Sequence, residues 1–310
     1  MRIGIDAMGG DFAPLEAVKG CIAVRKQYPD IYPVLFGRKA DIVECFSKLG
    51  VSDSYFEIVD APEVIEMGEH ATKAIAHKKG SSINIAYKHL VDKNIEALIG
   101  AGNTGAMLVG ALFSVKAIDG VQRPTITSIL PKLAGGFGVL LDVGANADCK
   151  PEVLNQFAIL GSLYAQYVYG ISNPKVALLS IGEEKEKGNI LNQASYPQLE
   201  MNDRINFVGN VEGRDLFNDK ADVIVCDGYT GNIVLKLCED FYYSLTKLGI
   251  ENEYLDKFNF KNYGGTAILG VNEPVIIGHG ISKEDSFAKM FKLAKDVVES
   301  KLIEKIKQSF

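Results

Sequence analysis

The 310-residue chain has no tryptophan, five cysteines and four histidines. The cysteines are odd in number and scattered without a C-x-x-C pair, which argues against a disulfide framework and a structural zinc site and is typical of a reducing compartment. No apolar run reaches the roughly 18 residues of a transmembrane helix, and no secretory signal pattern precedes the first strand-like run. We therefore predict a cytoplasmic protein that needs no metal.

The net charge is −6, so we do not expect a general nucleic-acid binder. A hydrophobic content of 47% and a charged content of 23% are ordinary for a globular protein, and the length accommodates one large or two smaller domains. No internal repeat or low-complexity linker is visible. We expect a single α/β catalytic unit over 1–310, an organisation that allows two lobes with a cleft between them and a crossing near 119–131.

Apolar, β-branched runs alternate with segments of helical period along most of the chain. Because the strand-like runs are continuously apolar, they predict a mostly parallel sheet covered by helices on both faces. The predicted strands are 2–6, 32–36, 55–59, 97–101, 126–130, 138–142, 176–181, 205–208, 222–226, 266–270 and 274–278. The predicted helices are 14–28, 40–49, 82–92, 105–117, 151–170, 189–200, 213–218, 231–248 and 284–307.

Polar loops rich in Gly, Asp, Asn and Lys follow six of these strands. Ligands of open parallel sheets bind outside the carboxyl ends of the strands, so these loops indicate one shared site. The most informative loop runs from Asp142 to Lys150 and leads into a helix that begins with Pro151. A helix N-terminus attracts anions, and Lys150 beside it adds a full positive charge.

Other motifs are incomplete. Residues 100–105 match G-x-G-x-x-G, but the first strand leads into a different loop and the acidic residue expected for the ribose is missing. Neither a P-loop, an H-E-x-x-H motif nor a G-x-S-x-G elbow is present. Cys149 is an alternative nucleophile for thioester exchange, although a small loop filler is the simpler interpretation. We expect no nicotinamide or other cofactor.

Several motifs, taken together and in order, resemble the phosphate acyltransferases of phospholipid synthesis, the PlsX family. The resemblance covers residues 1 to about 292. The motifs that carry it are Ile5-Asp-Ala-Met-Gly-Gly-Asp11, Ala101-Gly-Asn-Thr-Gly-Ala106, Leu141-Asp-Val-Gly-Ala-Asn146, Lys150-Pro-Glu152, Lys187-Gly-Asn189, Phe207-Val-Gly-Asn-Val-Glu212, Asp227-Gly-Tyr-Thr-Gly-Asn232 and Asn262-Tyr-Gly-Gly265.

This resemblance implies a Rossmann-like, three-layer α/β fold related to phosphotransacetylases and isocitrate dehydrogenases. It implies transfer of a long-chain acyl group from acyl carrier protein to inorganic phosphate, which yields acyl phosphate for phospholipid synthesis. It also implies a homodimer, no redox cofactor, a peripheral position at the membrane and a downstream membrane glycerol-3-phosphate acyltransferase as a partner.

Such a reaction needs positioning and charge stabilisation more than an activated side chain. We expect phosphate to be held by Lys150, the helix that begins at Pro151 and the turn Gly102-Asn103-Thr104. Asn146 or Asn232 would donate to the oxyanion. Asp142 and Asp227 would orient Lys150 and Lys236 or accept the phosphate proton; the alternative is that they cap helices and brace the loops. Further substrate-binding candidates in the matching motifs are Asp6, Gly105, Asn189 and Thr230; Lys187 is either catalytic or in a solvated salt bridge.

Members of the family usually carry a long helical hairpin before the Asn262 motif, where this chain has only about a dozen residues, 249–261. We therefore expect weak or indirect membrane attachment. Lys73, Lys78 and Lys79 form the most basic local cluster, and either dock the acidic carrier protein or belong to a solvated helix face. Two rival functions are an NAD-dependent dehydrogenase-like enzyme of the same fold and a non-catalytic scaffold that binds acyl carrier protein.

Overall fold

The computed structural model describes residues 1–259 and 262–310. Its contacts divide the chain into two compact units. The first contains Met1–Ala117 and Lys261–Glu299, and the second contains Ile118–Phe260 and Ser300–Phe310. The chain therefore passes between the units after Ala117, between 259 and 262, and after Glu299.

Strands and helices alternate along both units. The strands are β1 (Arg2–Asp6), β2 (Tyr32–Gly37), β3 (Glu57–Asp60), β4 (Ala97–Gly100), β5 (Thr125–Pro131), β6 (Phe137–Leu141), β7 (Lys175–Leu179), β8 (Asn206–Val211), β9 (Val223–Val225), β10 (Gly265–Leu269) and β11 (Val275–Gly278). The helices are α1 (Leu15–Gln27), α2 (Lys39–Lys48), α3 (Ala71–His77), α4 (Ser82–Val91), α5 (Thr104–Gly110), α6 (Pro151–Tyr167), α7 (Ile190–Glu200), α8 (Gly228–Lys247), α9 (Glu253–Asp256), α10 (Glu284–Glu299) and α11 (Leu302–Ser309).

In the first unit, the strand order is β3-β2-β1-β4-β11-β10. The pairs are parallel except for β10 with β11, which is antiparallel. Every residue of β4 and β11 is buried, so helices cover both faces of this sheet. The carboxyl ends of β1 and β4 pair directly, because Asp6 is in register with Gly100.

In the second unit, the strand order is β5-β6-β9-β7-β8. The β5–β6 pair is antiparallel and the others are parallel. Helix α6 packs against β6, β7 and β9, and α7 packs against α6. The parallel strands β6, β9 and β7 therefore release their carboxyl-end loops at one edge of this sheet.

The prediction of a mostly parallel α/β fold is confirmed, and each of the eleven predicted strands is present within one to three residues at its ends. The prediction of one continuous helix over 284–307 was wrong. Lys301 adopts a left-handed conformation, with φ 53°, and divides the segment into α10 and α11. The helix at 213–218 was also wrong. Residues Gly213–Asp215 form a 3-10 turn, which Glu212 and Asp215 close with reciprocal side-chain hydrogen bonds.

The amphipathic stripe predicted for 284–307 is buried, including Phe287, Phe291, Leu302 and Ile306. Helices α3 and α9 were not predicted, since four to seven residues show too little periodicity to recognise. Among the helices of the described residues, none is both long and apolar enough to cross a bilayer.

Candidate active site

Two loops of the second unit hold each other in place. One follows β6 and runs from Asp142 to Lys150; the other follows β9 and begins α8. The amide of Gly228 donates to the Asn146 carbonyl at 2.7 Å, and Asn232 Nδ2 donates to the Val143 carbonyl at 3.2 Å. The two strand-end motifs identified in the sequence therefore form one structural cluster.

The carboxylate of Asp142 is the buried centre of this cluster. It has no solvent exposure, and it accepts hydrogen bonds from the amides of Ile126, Ala145 and Asn146 and from Asn146 Nδ2. Burial raises the pKa of Asp142, and these hydrogen bonds oppose that rise. The structure therefore favours loop bracing for Asp142 over orienting a lysine or accepting a phosphate proton, because the carboxylate contacts neither solvent nor a lysine.

Asn146 was predicted as one of two oxyanion donors. Its Nδ2 group donates to the Pro124 carbonyl at 2.8 Å and to Asp142 Oδ2 at 3.0 Å. Both amide hydrogens are therefore used within the protein, and the structure corrects this assignment: Asn146 braces the loop.

Asp227 caps the N-terminus of α8. Its carboxylate accepts the amide of Thr230 at 2.8 Å and the hydroxyl of Thr230 at 2.9 Å, so Asp227 and Thr230 form a local pair. Asn232 donates one amide hydrogen to the Val143 carbonyl, and its second amide hydrogen has no acceptor among the described residues. Of the two predicted oxyanion donors, Asn232 is therefore the one that retains a donor.

Lys150 is exposed at the position that caps α6, and its ammonium group has no hydrogen-bond or ion-pair partner among the described residues. Arg123, which the sequence analysis missed, is also exposed and precedes Pro124, whose carbonyl holds Asn146. The charge of Arg123 reaches Cys149, next to Lys150: burial raises the pKa of that thiol, and Arg123 opposes part of the rise. No motif marks Arg123 in the sequence, because it approaches this loop only through folding.

The N-terminus of α6 offers fewer donors than its sequence suggests. Pro151 has no amide hydrogen, and the amides of Val153 and Leu154 both donate to the Lys150 carbonyl. The amide of Glu152 is left as the donor of this first turn that no described residue accepts. Anion binding here therefore depends more on side-chain charge than on backbone amides.

Cys149 was considered as a nucleophile. Burial, followed by the negative charges of Asp142 and Asp227, raises its pKa to about 11, although Arg123 opposes the rise. Such a thiol stays protonated at neutral pH, and the thiolate is the reactive form. The structure therefore favours the loop-filler interpretation.

Three other predicted residues lie near β7 or along α8. Asn189 caps α7 by accepting the amide of Asn192 at 2.9 Å. Lys187 is exposed, and no described residue pairs with it, so the structure does not favour the salt bridge that was one of its two alternatives. Lys236 pairs with Glu239 at 2.8 Å rather than with Asp142 or Asp227, which corrects the predicted arrangement.

In the first unit, Asp6 supports a tight contact between two glycine loops. Its carboxylate accepts the amide of Met8 at 3.1 Å, and burial raises its pKa to about 6. A β-carbon built on Gly9 would lie 2.4 Å from Asp6 Oδ2 and 2.6 Å from the amide nitrogen of Gly102. Position 9 therefore requires glycine, because the backbone there lies too close to Asp6 and Gly102 for a side chain. Asp6 is buried and braces these loops, which replaces its predicted contact with substrate.

Asn103 caps α5 by accepting the amide of Ala106, and its Nδ2 lies within hydrogen-bond distance of the carbonyls of Glu66, Met67 and Glu69. Its predicted donation to phosphate was wrong, since these groups satisfy the side chain. Thr104 is exposed and Gly105 is half-buried, so these two positions of the turn remain accessible.

The basic cluster of the first unit is largely engaged. Lys78 donates to the Val64 carbonyl and pairs with Glu69, and Lys79 donates to the Ile75 carbonyl. Lys73 is exposed without a partner among the described residues. Two of the three lysines are therefore engaged within the protein, and the two alternatives for the cluster, carrier-protein docking and a solvated helix face, stay predictions. In the described part of the chain, no group of three His, Cys, Asp or Glu side chains is placed to hold a metal ion.

The fold is that of phosphotransacetylases and related α/β enzymes. The structure is similar to a phosphotransacetylase from Streptococcus pyogenes, with a TM-score of 0.69 and 16% identity over 96% of this chain and 94% of that one. It is also similar to a branched-chain phosphotransacylase from Enterococcus faecalis V583, with a TM-score of 0.65 and 16% identity over 96% and 99%. At these identities the likeness concerns the fold alone.

The chain belongs to the family described as "Fatty acid synthesis protein", whose profile matches residues 1–305. Its curated relatives include proteins named phosphate acyltransferase from Dictyoglomus turgidum, 41% identical over 99% of this chain and 96% of the relative, and from Pelotomaculum thermopropionicum, 43% identical over 100% and 95%. The family resemblance predicted from the motifs is confirmed, and the chain is an enzyme of the acyltransferase class.

Proposed function

We propose that this protein transfers a long-chain acyl group from acyl carrier protein to inorganic phosphate and so supplies acyl phosphate for phospholipid synthesis. The observation that carries the proposal is the position of Lys150 and Arg123. Both are exposed cations without described partners, and both flank the braced loop 142–150. Two such charges provide a site for a small dianion.

In the proposed reaction, Lys150 and Arg123 hold phosphate while one phosphate oxygen attacks the thioester carbonyl carbon. The new C–O bond forms, the C–S bond breaks, and sulfur leaves with the electron pair and takes a proton from solvent. The remaining amide hydrogen of Asn232 donates to the carbonyl oxygen as charge develops there, an interaction typically worth about 10²–10³ in rate. The nucleophile is an anion already, so the reaction needs no activated serine or cysteine.

The other candidates serve this reaction less directly. We assign Asp142 and Asn146 to holding the loop, and Asp227 with Thr230 to shaping the start of α8. Lys187 and Asn189 are kept as substrate contacts of the second unit, because they are exposed at a strand-end loop. The contacts predicted for Thr104 and Gly105, in the first unit, stay predictions. No metal or nicotinamide takes part in the proposed chemistry.

A second copy of the chain is the proposed partner of α8. Apart from Gly228 and Gly231, no residue of this helix is buried within the described part of the chain. Ile233, Leu237 and Phe241 follow at four-residue spacing and are 50%, 66% and 60% exposed. An apolar stripe of this kind marks an interaction surface. Lys236 and Asp240 carry opposite charges beside it, which suits antiparallel packing of two copies of α8.

The test of the reaction is phosphate dependence. Purified protein should consume acyl–acyl carrier protein only when inorganic phosphate is present, and the product should be an acid-labile acyl phosphate that hydroxylamine traps. Dialysis against a chelator should leave turnover unchanged. Equal loss of the thioester in phosphate-free buffer would identify a hydrolase, and binding without turnover would identify a scaffold. A phosphate-independent absorbance change at the nicotinamide band would support the dehydrogenase rival.

A further inference from the structure

The second unit contains a cavity of about 300 Å³ whose lining includes Leu154, in the first turn of α6, and Asp227, at the N-terminus of α8. It lies between the end of β7, the start of α7 and the first turn of α8. Leu154, Leu178 and Leu179 form its apolar wall, and Asp227 and Thr230 line it on the side of α8. Small-molecule sites begin near this size and combine an apolar lining with a few placed polar groups.

Asn192 supplies a fixed acceptor in this cavity. The residue is 9% exposed, and its Nδ2 donates to the Leu179 carbonyl at 2.6 Å. That contact sets the orientation of the side-chain amide, since the carbonyl of Leu179 can only accept. Oδ1 of Asn192 is therefore directed away from Leu179 and has no hydrogen-bond partner among the described residues. The buried hydroxyl of Ser180, also in the lining, lacks a partner as well.

The lining determines which part of the substrate fits. None of the described residues that line the cavity is a lysine or arginine, and the one charged lining group is the carboxylate of Asp227. Phosphate would meet like charge there and no counter-charge. A hydrocarbon chain would fill the apolar wall but leave Asn192 Oδ1 and the Ser180 hydroxyl buried without partners, which is costly.

We propose that this cavity binds the neutral pantetheine arm of the acyl thioester, with the cysteamine amide N–H donating to Asn192 Oδ1. The arm alternates methylene pairs with amides, and so matches an apolar wall that carries an isolated acceptor. This inference rests on the proposed function and adds to it the recognition of the thiol side of the donor. Asp227 and Thr230 link the cavity to the loop that carries Asn232, so an arm bound here would reach the reacting carbonyl from the thiol side.

The test uses two short acyl thioesters, of which one has an amide N–H group that the other lacks. One is the hexanoyl thioester of N-acetylcysteamine, and the other is its ester analogue, in which oxygen replaces the amide N–H. With saturating phosphate, the wild-type protein should use the amide donor with a kcat/KM roughly fivefold or more above that of the ester, the factor expected for one hydrogen bond.

Asn192→Leu should abolish this preference while the KM for phosphate stays near the wild-type value. Gln198→Leu is the matched control, because Gln198 lies on the same helix outside the cavity and should keep the preference. If Asn192→Leu does not fold, Ser180→Val serves instead: the added methyl groups occupy the cavity and should raise the KM for the amide donor severalfold without raising that for phosphate.

Equal use of the two donors by wild-type protein, or a preference that survives Asn192→Leu, would overturn the assignment of the cavity. Both results require phosphate-dependent turnover and so leave the proposed reaction intact. If neither these donors nor acyl–acyl carrier protein reacts with phosphate, the proposed function itself fails.

Discussion

Gly231, in the first turn of α8, lies directly against the carbonyl oxygen of Asp142. A β-carbon built on Gly231 would be 1.9 Å from that oxygen. The two strand-end loops can therefore approach each other only because position 231 has no side chain. This contact sets the distance between Asn232 and the loop that carries Lys150.

Gly231→Ala should separate these loops, lower the free energy of unfolding by about 1–3 kcal/mol and reduce activity strongly. Thermal unfolding and steady-state rates measure the two effects. Gly213→Ala is the control, because a β-carbon there would meet no atom within 4 Å. Wild-type rates in Gly231→Ala would show that the contact does not position the site.

Lys150→Ala should cut kcat/KM by about tenfold or more and raise the KM for phosphate, since its ammonium is expected to contact the anion. The melting temperature should hardly change, because the side chain is exposed. Lys150→Arg should restore only part of the activity, because a planar guanidinium group replaces the compact ammonium group of lysine. Lys307→Ala, at an exposed position on α11, is the control. If Lys150→Ala keeps the wild-type kcat and KM, Lys150 does not contact phosphate, and Lys187 becomes the next candidate.

Arg123→Ala should also raise the KM for phosphate. If both cations hold the same anion, the double variant with Lys150→Ala should lose less activity than the product of the two single losses predicts. Steady-state kinetics with varied phosphate measure this coupling. Strictly multiplicative effects would indicate that Arg123 and Lys150 act at separate places.

Asp6→Asn should change how stability depends on pH. Burial raises the pKa of Asp6 to about 6 from its ordinary 3.8. The folded state therefore binds the Asp6 proton more tightly than the unfolded state does. The stabilisation that results is complete at low pH and is lost as the pH rises toward about 6. The gap between the two pKa values corresponds to about 3 kcal/mol.

Urea unfolding at a series of pH values between about 4 and 7 tests this expectation. Wild-type protein should lose stability relative to Asp6→Asn as the pH rises across this window. A difference between the two proteins that does not vary with pH would indicate that Asp6 ionises with an ordinary pKa.

Leu237→Glu should convert a dimer to a monomer, because it places a charge at the centre of the exposed stripe on α8. Light scattering after size exclusion measures the mass directly. Met201→Glu is the control, since Met201 is a comparably exposed apolar residue of the same unit that lies outside α8. A wild-type monomer at high concentration, or a Leu237→Glu dimer, would contradict the assignment of this face.

The order of strands and helices was readable from sequence because local pattern determines it. Continuous apolar runs of β-branched residues predicted buried parallel strands, and the observed β1, β4 and β11 are buried along nearly their whole length. The prediction of one helix over 284–307 failed because a single backbone conformation decided the outcome. The amphipathic stripe from Phe287 to Ile306 continues across Lys301, but the left-handed conformation of Lys301 ends one helix and begins another.

The family, the α/β architecture and the loops that carry polar side chains could be predicted from the sequence, since they depend on composition, period and motif. Which of those side chains are available to a ligand depends on the folded arrangement. Asn146 and Asn103 have the chemistry of substrate donors, yet neighbouring carbonyls consume their hydrogens. Arg123 and Asn192 gain their roles from residues distant in sequence. A hydrogen-bonding group can act on a ligand only when folding leaves it unpaired, and its pairing depends on partners that local sequence does not specify.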